Sequence, residues 1–381
     1  MRRHDRFVLT FLVAGQLAAC SCGSHLRAVK DPPPATSCAA TGSIAGRVCA
    51  PDARTWLGGA TVEVSGQDCS GGSFHRQVES AADGSFTLPG VPPGKWELHI
   101  ALGTFTHSAS VDVAPGAQLR LPDDRACLDP IQAAVVQGHG DRIETLLTNL
   151  KVKVTTFDGN TGGYTTSALP LLRDLQALKK FDILFIDCAA ASAKGQIDLG
   201  DPKVAEALKA YVEQGGSVYA SDWAFLFVEQ AFPDRFNFDI NGGSAKATNP
   251  FDTTMLLGYA PQDVTATVND PKLANFLGKQ SVKISFPRDQ KTHTITVHWG
   301  LMQDAPPGVN VLLAGNARMC APSDRACSKS AGTAQNIPLA VTFHAGPEGR
   351  NGGNVVYTSF HNVEQSNSDV EQILTYLIFH L

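Results

Sequence analysis

The spacing of apolar residues changes once along this chain, near residue 130, and this change constrains the fold more than any other feature. Residues 43–122 contain short segments in which apolar and polar residues alternate between turn residues. Such alternation indicates strands that are buried on one face. From residue 131, apolar strand-like segments alternate with helical segments, which indicates βαβ units and a parallel sheet. The sequence therefore predicts an antiparallel β-sandwich followed by a doubly wound α/β domain.

The second part contains a β-rich interruption. Residues 235–340 include several strand-like segments that follow one another without the intervening helices. We interpret them as an insertion in the α/β domain of residues 131–381, or as an antiparallel extension of its sheet. Residues 123–130 are predicted to be a short linker between the two domains.

The N-terminus has the pattern of a targeting segment. Residues 1–19 combine three early arginines with a short apolar run that is too short to span a membrane. The following Leu17–Cys20 reads Leu-Ala-Ala-Cys and resembles the lipobox of bacterial lipoproteins. This resemblance implies cleavage before Cys20, a lipid anchor on that cysteine and, because Ser21 follows, location at the outer membrane. A plain secretory signal is the alternative. Residues 20–42 are polar and Pro-rich and are predicted to be a flexible tether.

Composition excludes one class of partner. The chain has 381 residues, 43% of them hydrophobic, and a formal net charge of −5. No long block of lysine and arginine is present, so nucleic acid is not an expected partner. The expected partners are the membrane, through the lipid, and either carbohydrate or another envelope protein.

The nine cysteines are interpreted for an oxidising compartment, which export of the chain implies. With Cys20 carrying lipid, eight remain. We predict three disulfides: Cys320–Cys327 across a short loop, Cys49–Cys69 beside the first strands, and Cys38–Cys127 closing the sandwich. This leaves Cys22 and Cys188 unpaired. Zinc binding is the alternative, but the sequence lacks a Cys-x-x-Cys pair.

The stretch "AADGSFTLPGVPPGKWELHI", residues 81–100, gives the first part a more specific character. Its Asp-Gly turn, alternating apolar residues, Pro-Gly pair and tryptophan resemble the carboxypeptidase regulatory-like domain, a transthyretin-like sandwich. That family is non-catalytic and shares its fold with carbohydrate-binding modules. The resemblance implies that Phe86, Leu88, Trp96 and Leu98 lie in the core. A sugar-binding platform at Trp96 is the alternative.

Two segments of the second part carry another resemblance. They are "YVEQGGSVYASDWA" (211–224) and "GGNVVYTSFHN" (352–362). Both resemble segments of the class I glutamine amidotransferase-like fold, including its trehalose-utilisation-like branch. In that family a cysteine on a strained strand-to-helix turn, here called the elbow, is served by a histidine and a glutamate. The resemblance implies the fold and, by itself, no activity.

In a doubly wound sheet, ligands bind beyond the carboxyl ends of the strands. Polar residues at these predicted ends are His139, Asp187, Cys188, Ser221, Asp222, His361 and Glu364. We predict a ligand-binding crevice formed by His139, Asp187, Asp222 and His361. Candidates for catalysis are Ser221 or Cys188 as nucleophile, with His361 as base and Glu364 as its partner.

Each catalytic candidate has a structural alternative. A nucleophile on the elbow needs small residues two positions away on either side, and Ser221 has Tyr219 and Trp223 there. We therefore favour helix capping by Ser221 or Asp222. For Cys188 we favour a buried, reduced thiol, because the sequence shows no cation that would lower its pKa.

His361 and His139 each have a structural alternative as well. Glu364 follows His361 by three residues, where the family has a spacing of two, so a turn at 362–363 is needed to bring it back. His139 lies between two glycines before a predicted helix, where backbone amides can bind an anion; an ordinary strand–helix turn is the alternative. No sequence spacing supports a metal held by these histidines and an aspartate, so no metal and no cofactor are predicted.

Three hypotheses follow. The favoured one is a non-catalytic envelope lipoprotein whose sandwich presents an amidotransferase-like ligand-binding domain. The second is a hydrolase of the same fold that uses Ser221 or Cys188 with His361. The third is a carbohydrate-binding surface protein. Enzymatic activity is left open by the sequence, although the non-catalytic hypothesis is preferred.

Overall fold

The computed structural model describes most of the chain after residue 37: 38, 40–138, 141–159, 167–188, 201–238, 256–287, 298–321, 324, 327–346, 352–363, 365 and 367–381. The predicted signal segment and anchor, with Cys20 and Cys22, lie outside these residues, as do His139 and Glu364. Residues 38–381 belong to one unit. Across the described ranges, no helix has both the length and the apolar character needed to cross a membrane.

Seven strands lie in the first part of the chain: β1 (Gly42–Arg47), β2 (Thr61–Gln67), β3 (Ser73–Glu79), β4 (Ser85–Val91), β5 (Gly94–Leu102), β6 (Phe105–Val113) and β7 (Gln118–Arg120). One sheet has the order β3-β2-β5-β6 and the other β4-β1-β7. The first sheet is antiparallel, as predicted. The second is mixed, because the chain leaves β6 in the other sheet and returns to place β7 parallel to β1. The prediction of purely antiparallel sheets is therefore wrong at this edge.

The four core residues predicted for the first part are buried. Phe86 and Trp96 are each 5% exposed, and Leu88 and Leu98 are fully buried. The Trp96 indole Nε1 donates a hydrogen bond to the Pro92 carbonyl, 2.8 Å away. Because its polar atom is used internally and its ring is covered, Trp96 is a core residue and does not offer a sugar-binding platform.

The second part of the chain supplies eleven strands to one mixed sheet. They are β8 (Gln132–Gln137), β9 (Lys153–Asp158), β10 (Ile183–Ile186), β11 (Ser217–Ser221), β12 (Leu257–Tyr259), β13 (Gln262–Val268), β14 (Ser281–Phe286), β15 (His298–Gly300), β16 (Asn310–Cys320), β17 (Ser330–Ala345) and β18 (Gly353–Thr358). Adjacent strands in the order β9-β8-β10-β11-β18 are parallel. This section is the predicted parallel sheet.

Helices cover both faces of the parallel section. They are α1 (Ile143–Asn149), α2 (Leu169–Leu172), α3 (Leu175–Leu178), α4 (Pro202–Glu213), α5 (Phe225–Ala231) and α7 (Asp369–Phe379). One more helix, α6 (Pro271–Leu277), lies beside β13 and α7, within the region 235–340 where the sequence predicted strands without intervening helices. In β10, Ile183 and Phe185 share a core with α1 and α7, whereas Leu184 and Ile186 share another with α2, α4 and α5. This division explains why β10 is apolar at every position.

The described part of residues 235–340 extends the sheet. Strand β17 pairs antiparallel with β18, and β16, β13 and β14 follow outward in antiparallel order. Short strands β12 and β15 pair with each other, and β12 also pairs with β16. Of the two interpretations offered by the sequence, the antiparallel extension is the one observed.

The disulfides correct two of the three predicted pairs. Cys320 pairs with Cys327 as predicted, but Cys49 pairs with Cys127 and Cys38 with Cys69. The predicted pairs Cys49–Cys69 and Cys38–Cys127 are wrong. Cys49 follows β1, and Cys127 follows β7, its parallel neighbour, so the two Cα atoms lie 4.2 Å apart. Cys69 lies beyond β2 in the other sheet.

The first part is packed directly against the last helix. Phe105 of β6 and Phe379 of α7 are both fully buried, with ring centroids 4.6 Å apart. The Thr104 backbone N–H and hydroxyl both donate to the Leu381 carbonyl, at 2.7 and 2.8 Å. A Cβ atom on Gly103 would collide with carbonyl oxygens of Phe379 and Leu381, so only glycine permits this approach. Residues from both parts therefore form one hydrophobic core.

Candidate functional site

Five of the seven predicted strand-end residues converge at the carboxyl ends of the parallel strands. Asp187 and Cys188 follow β10, Ser221 ends β11, Asp222 comes directly after it, and His361 lies three residues beyond β18. These strands are neighbours in the sheet, so their ends meet at one edge. The other two predicted residues, His139 and Glu364, lie outside the described residues.

The elbow is at Asp222, one residue later than predicted. Asp222 has φ +41°, a left-handed conformation that is strained for a residue with a side chain, and it connects β11 to a 3₁₀ turn (Asp222–Ala224) before α5. The residues two positions to either side are Ala220 and Ala224, both fully buried. They are the small neighbours that an elbow needs, whereas the corresponding neighbours of Ser221, Tyr219 and Trp223, are bulky.

The Asp222 carboxylate is buried and held from three sides. Its Oδ1 accepts from the Gly300 backbone N–H at 3.2 Å, and its Oδ2 accepts from the Cys188 thiol at 3.4 Å. The His361 Nε2 lies 4.0 Å from Oδ2. Burial raises the pKa of Asp222 to about 7, against the opposing effects of His361 and the Gly300 N–H. Both carboxylate oxygens are engaged in these contacts, so the prediction that Asp222 caps the following helix is wrong.

The Ser221 hydroxyl connects the end of β11 to Asp141 and to the backbone of Cys188. It donates to Asp141 Oδ2 and accepts from the Cys188 backbone N–H at 2.9 Å. The side chain is fully buried and makes no capping hydrogen bond to the helix that follows. The hydroxyl proton is directed to the Asp141 carboxylate, and the prediction that Ser221 caps the following helix is wrong.

Asp141 joins two strand ends, a role that the sequence did not reveal. An aspartate directly before a helix is typical of an N-cap, but α1 has Arg142 at its N-cap position and no side-chain capping bond. Besides accepting from Ser221, Asp141 accepts at Oδ1 from the Asn362 backbone N–H at 2.7 Å. The Asn362 side chain returns the contact by accepting from the Arg142 N–H at 2.8 Å. These bonds fix the segment that carries His361.

Cys188 is a buried thiol with no disulfide partner among the described residues. It is 5% exposed and unpaired, as predicted. Burial, followed by the negative charges of Asp222 and Asp141, raises the pKa of the thiol well above its usual value. The thiol therefore stays protonated at neutral pH and is a poor nucleophile.

His361 lies at the mouth of the site. Its side chain is 20% exposed, which makes it the most accessible member of the cluster with Asp222 and Cys188. No hydrogen-bond partner for the buried Nδ1 is present within the described portion of the chain. The 4.0 Å between Nε2 and Asp222 Oδ2 exceeds the distance of roughly 2.6–3.2 Å at which a base serves a nucleophile.

Asp187 is not among the three residues whose potential ligand atoms cluster at this edge, which are Cys188, Asp222 and His361. It is fully buried, and neither carboxylate oxygen has a hydrogen-bond partner among the residues that the structure describes. Burial raises its pKa well above the usual value, with further contributions from the charges of Asp141 and Glu144. Burial thus disfavours the charged form of Asp187 relative to an exposed carboxyl.

A narrow cavity opens directly onto Asp222 and His361. Its apolar walls come largely from the antiparallel extension and include Phe286, Trp299 and Phe360. The rings of Phe286 and Trp299 stack with centroids 4.2 Å apart, and the buried Trp299 Nε1 has no partner within the described ranges. The cavity measures about 10 Å³, which suits about one water molecule or one hydroxyl group.

A larger cavity, of about 270 Å³, lies among α1, α6 and α7 and includes Asp52 and Thr55 of the first part. None of the strand-end residues lines it. Its size alone offers no chemistry, so we place the candidate site at the smaller cavity, where a strained, buried carboxylate faces a histidine.

Comparisons with known proteins give structural neighbours only. No protein-family model matches the sequence, and no curated protein matches it. Solved structures similar to the chain include PurLQS from Thermotoga maritima, at 13% identity and a TM-score of 0.36, covering 66% of this chain and 98% of that one. A glutamine amidotransferase from the same organism has 6% identity and a TM-score of 0.33, covering 65% of this chain and 82% of that one.

A β-galactosidase from Rahnella sp. R3 is also similar, at 12% identity and a TM-score of 0.29. The match covers 65% of this chain but only 31% of that enzyme. Structural neighbours of the chain thus include glutamine amidotransferases at low identity. With TM-scores below 0.5, these likenesses carry no inference about activity.

Proposed function

We propose that this chain is a lipid-anchored protein of the bacterial cell envelope that binds a small ligand and does not use a serine or cysteine nucleophile. In this proposal, a carboxypeptidase regulatory-like sandwich (43–122) presents an amidotransferase-like domain (131–381). The lipobox-like Leu17–Cys20 supports the anchor, and Ser21 after it favours the outer membrane. Three disulfides among the described residues support an oxidising compartment.

The observation that carries the non-nucleophilic role is the identity of the elbow residue. Asp222 occupies the strained position, and the two candidate nucleophiles beside it are engaged elsewhere: Ser221 with Asp141, and Cys188 as a neutral thiol with Asp222. A carboxylate and an imidazole at the end of an apolar cavity are groups that hydrogen-bond a ligand and orient it.

The cavity favours a ligand that inserts a single hydroxyl or amino group between aromatic walls. Asp222 and His361 provide polar contacts at the cavity, and Trp299 provides an unpartnered indole N–H among the described groups. A polyhydroxy compound such as a carbohydrate suits this arrangement, because a hydroxyl group both donates and accepts hydrogen bonds. Carbohydrate is therefore the ligand class that we propose to test first.

The test compares ligand binding in the wild type, Asp222→Asn and His361→Ala. We expect an oligosaccharide from a mixed panel to bind the wild type, with at least about tenfold weaker binding in both variants, the cost of a hydrogen bond to a charged group. Calorimetric titration measures the affinities. His107→Ala is a matched control, because that histidine is 22% exposed, has its Nδ1 3.0 Å from an Asp129 carboxylate oxygen, lies on β6 of the first part and does not line the cavity. Equal binding by all four proteins would contradict the proposal.

A hydrolase is the second candidate, now with Asp222 in place of the predicted nucleophiles. The specific observation is a buried carboxyl on a strained elbow, 4.0 Å from the His361 Nε2. Burial raises the pKa of this carboxyl to about 7, near the value suited to acid–base chemistry at neutral pH. Glutamine, ester, peptide and glycoside substrates should be tested on the wild type and His361→Ala. Turnover that disappears in a folded His361→Ala protein would promote the enzyme; we expect no turnover.

The proposed lipid anchor at Cys20 can be tested separately from ligand binding. If Cys20 carries lipid, the mature wild type should partition into detergent, and Cys20→Ala should be released or remain an uncleaved precursor. Membrane fractionation with mass determination of the N-terminus measures both outcomes. Cys22→Ser is the matched control and should behave as the wild type. A mature Cys20→Ala protein that still fractionates with membranes would rule out the anchor.

A further inference from the structure

We infer that Cys188, Asp222 and His361 form a binding site for a transition-metal cation of the Zn²⁺ class. Each of the three side chains offers one ligand atom, and these atoms all lie within 4.8 Å of one another. They come from three different strand ends, after β10, β11 and β18, so the fold itself brings them together. The inference deepens the proposed binding role of the same crevice and takes its location from it.

The distances suit a cation placed between the three atoms. The Cys188 Sγ is 3.4 Å from Asp222 Oδ2, and the His361 Nε2 is 4.0 Å from the same oxygen. Tetrahedral zinc with bonds of about 2.0–2.3 Å separates its ligand atoms by roughly 3.3–3.8 Å. A small inward movement of the accessible His361 ring brings the set into that range.

The ligand types select the class of metal. A thiolate and an imidazole favour zinc and neighbouring transition metals, whereas magnesium and calcium prefer sites made only of oxygen atoms. Binding replaces the hydrogen bond from the Cys188 thiol to Asp222 by two bonds to the cation, and the thiol proton is released to solvent. The bound charge then removes the cost of burying the Asp222 carboxylate.

The surrounding residues hold two of the ligands in place without the metal. The Gly300 N–H fixes Asp222 Oδ1, which leaves Oδ2 directed at the other two ligands. The Ser221 hydroxyl accepts from the Cys188 backbone N–H and so positions that residue. Such outer contacts orient metal ligands in proteins, and here they also explain why a strained backbone is retained at Asp222.

The cavity supplies a fourth position. Three protein ligands with an adjoining space for one water molecule match a site that keeps an open coordination position, whereas purely structural zinc sites are closed by four protein ligands. The space of about 10 Å³ is lined by both Asp222 and His361. A water or a ligand hydroxyl in that space would complete the coordination.

The experiment uses the purified full chain, stripped of metal by a chelator and titrated with Co²⁺ as a spectroscopic substitute for Zn²⁺. We expect one Co²⁺ per chain and a thiolate-to-cobalt charge-transfer band in the near ultraviolet. Cys188→Ser should lose the band. Loss of an outer-shell partner weakens metal binding by up to about 100-fold, so loss of the direct ligand in His361→Ala should weaken it by more than that. Competition with Zn²⁺ measures the affinities.

Two controls and a second site variant make the result decisive. His107→Ala, the matched histidine beside an aspartate, should bind as the wild type. Cys22→Ser removes the other thiol that the sequence leaves unpaired and should keep the band. His361→Ala alters a partly exposed residue, so it tests the site even if Cys188→Ser does not fold; circular dichroism verifies folding.

The outcomes separate the two proposals made for this crevice. No Co²⁺ binding, or a band that survives Cys188→Ser, overturns the metal site while carbohydrate binding by the metal-free protein stands unaffected. Metal binding as expected, without binding of any oligosaccharide by either the metal-free or the metal-loaded protein, overturns the carbohydrate proposal and leaves the metal site.

Discussion

Replacing Cys49 and Cys127 together by alanine should lower the free energy of unfolding by about 4.5 kcal/mol in the chain-entropy treatment of a loop of this length. The bridge spans 78 residues of sequence. Without it, the unfolded chain gains the freedom that this large loop had lost, and the segment after β7 loses its covalent tie to β1. Denaturant unfolding at equilibrium, fitted with a common slope for both proteins, measures the difference.

The matched control is the double replacement of Cys320 and Cys327. That bridge spans only 7 residues, so its removal should cost about 2.4 kcal/mol in the same treatment. The variant and the control must each keep the remaining bridges intact, which peptide mapping without reductant verifies. The expected order would be contradicted if replacing Cys320 and Cys327 lowered the free energy of unfolding more than replacing Cys49 and Cys127.

The disulfide pairs illustrate what the sequence did not reveal. Cys320–Cys327 was predictable because seven residues restrict the loop and leave few alternatives. Cys49–Cys127 depends on β7 lying parallel to β1, a pairing between strands separated by the whole first sheet. No local pattern encodes that register, so proximity in sequence favours Cys69 as the partner of Cys49, which is wrong.

The elbow shows the opposite case, in which the signal was present in the sequence. Ala220 and Ala224 lie two positions from Asp222, and this spacing of small residues marks the elbow more reliably than the presence of a hydroxyl. Ser221 carries the hydroxyl that a nucleophile needs, but Asp222 has the strained backbone. An aspartate before a helix is typical of a cap, whereas the Asp222 oxygens contact the Cys188 thiol and the Gly300 N–H.

The apolar pattern predicted the parallel strands well because their burial on both faces leaves a direct trace in the sequence. Every residue of β10 is fully buried, and the four form an unbroken apolar run. The role of Asp141 left no such trace. An aspartate before a helix is typical of a cap, and only the tertiary contact with Ser221 and Asn362 reveals its actual use.

Phe379→Ala should lower the free energy of unfolding by about 3–5 kcal/mol, the usual cost of truncating a fully buried phenylalanine. The ring packs on Phe105 of the first part, so the cavity opens between α7 and β6. Because the two parts share one hydrophobic core, we also expect the damage to extend to both. Hydrogen exchange should accelerate in the β5–β6 hairpin as well as in α7.

Phe74→Ala provides the matched control for this prediction. Phe74 is only partly buried, packs on Trp96 with centroids 5.1 Å apart, and lies on β3 within the first part. Removing the Phe74 ring should lower the free energy of unfolding by clearly less than Phe379→Ala does, and it should leave hydrogen exchange in α7 unchanged. If Phe379→Ala instead accelerates exchange in α7 alone, with β5 and β6 protected as in the wild type, the first part is stable on its own and the shared core does not couple the two.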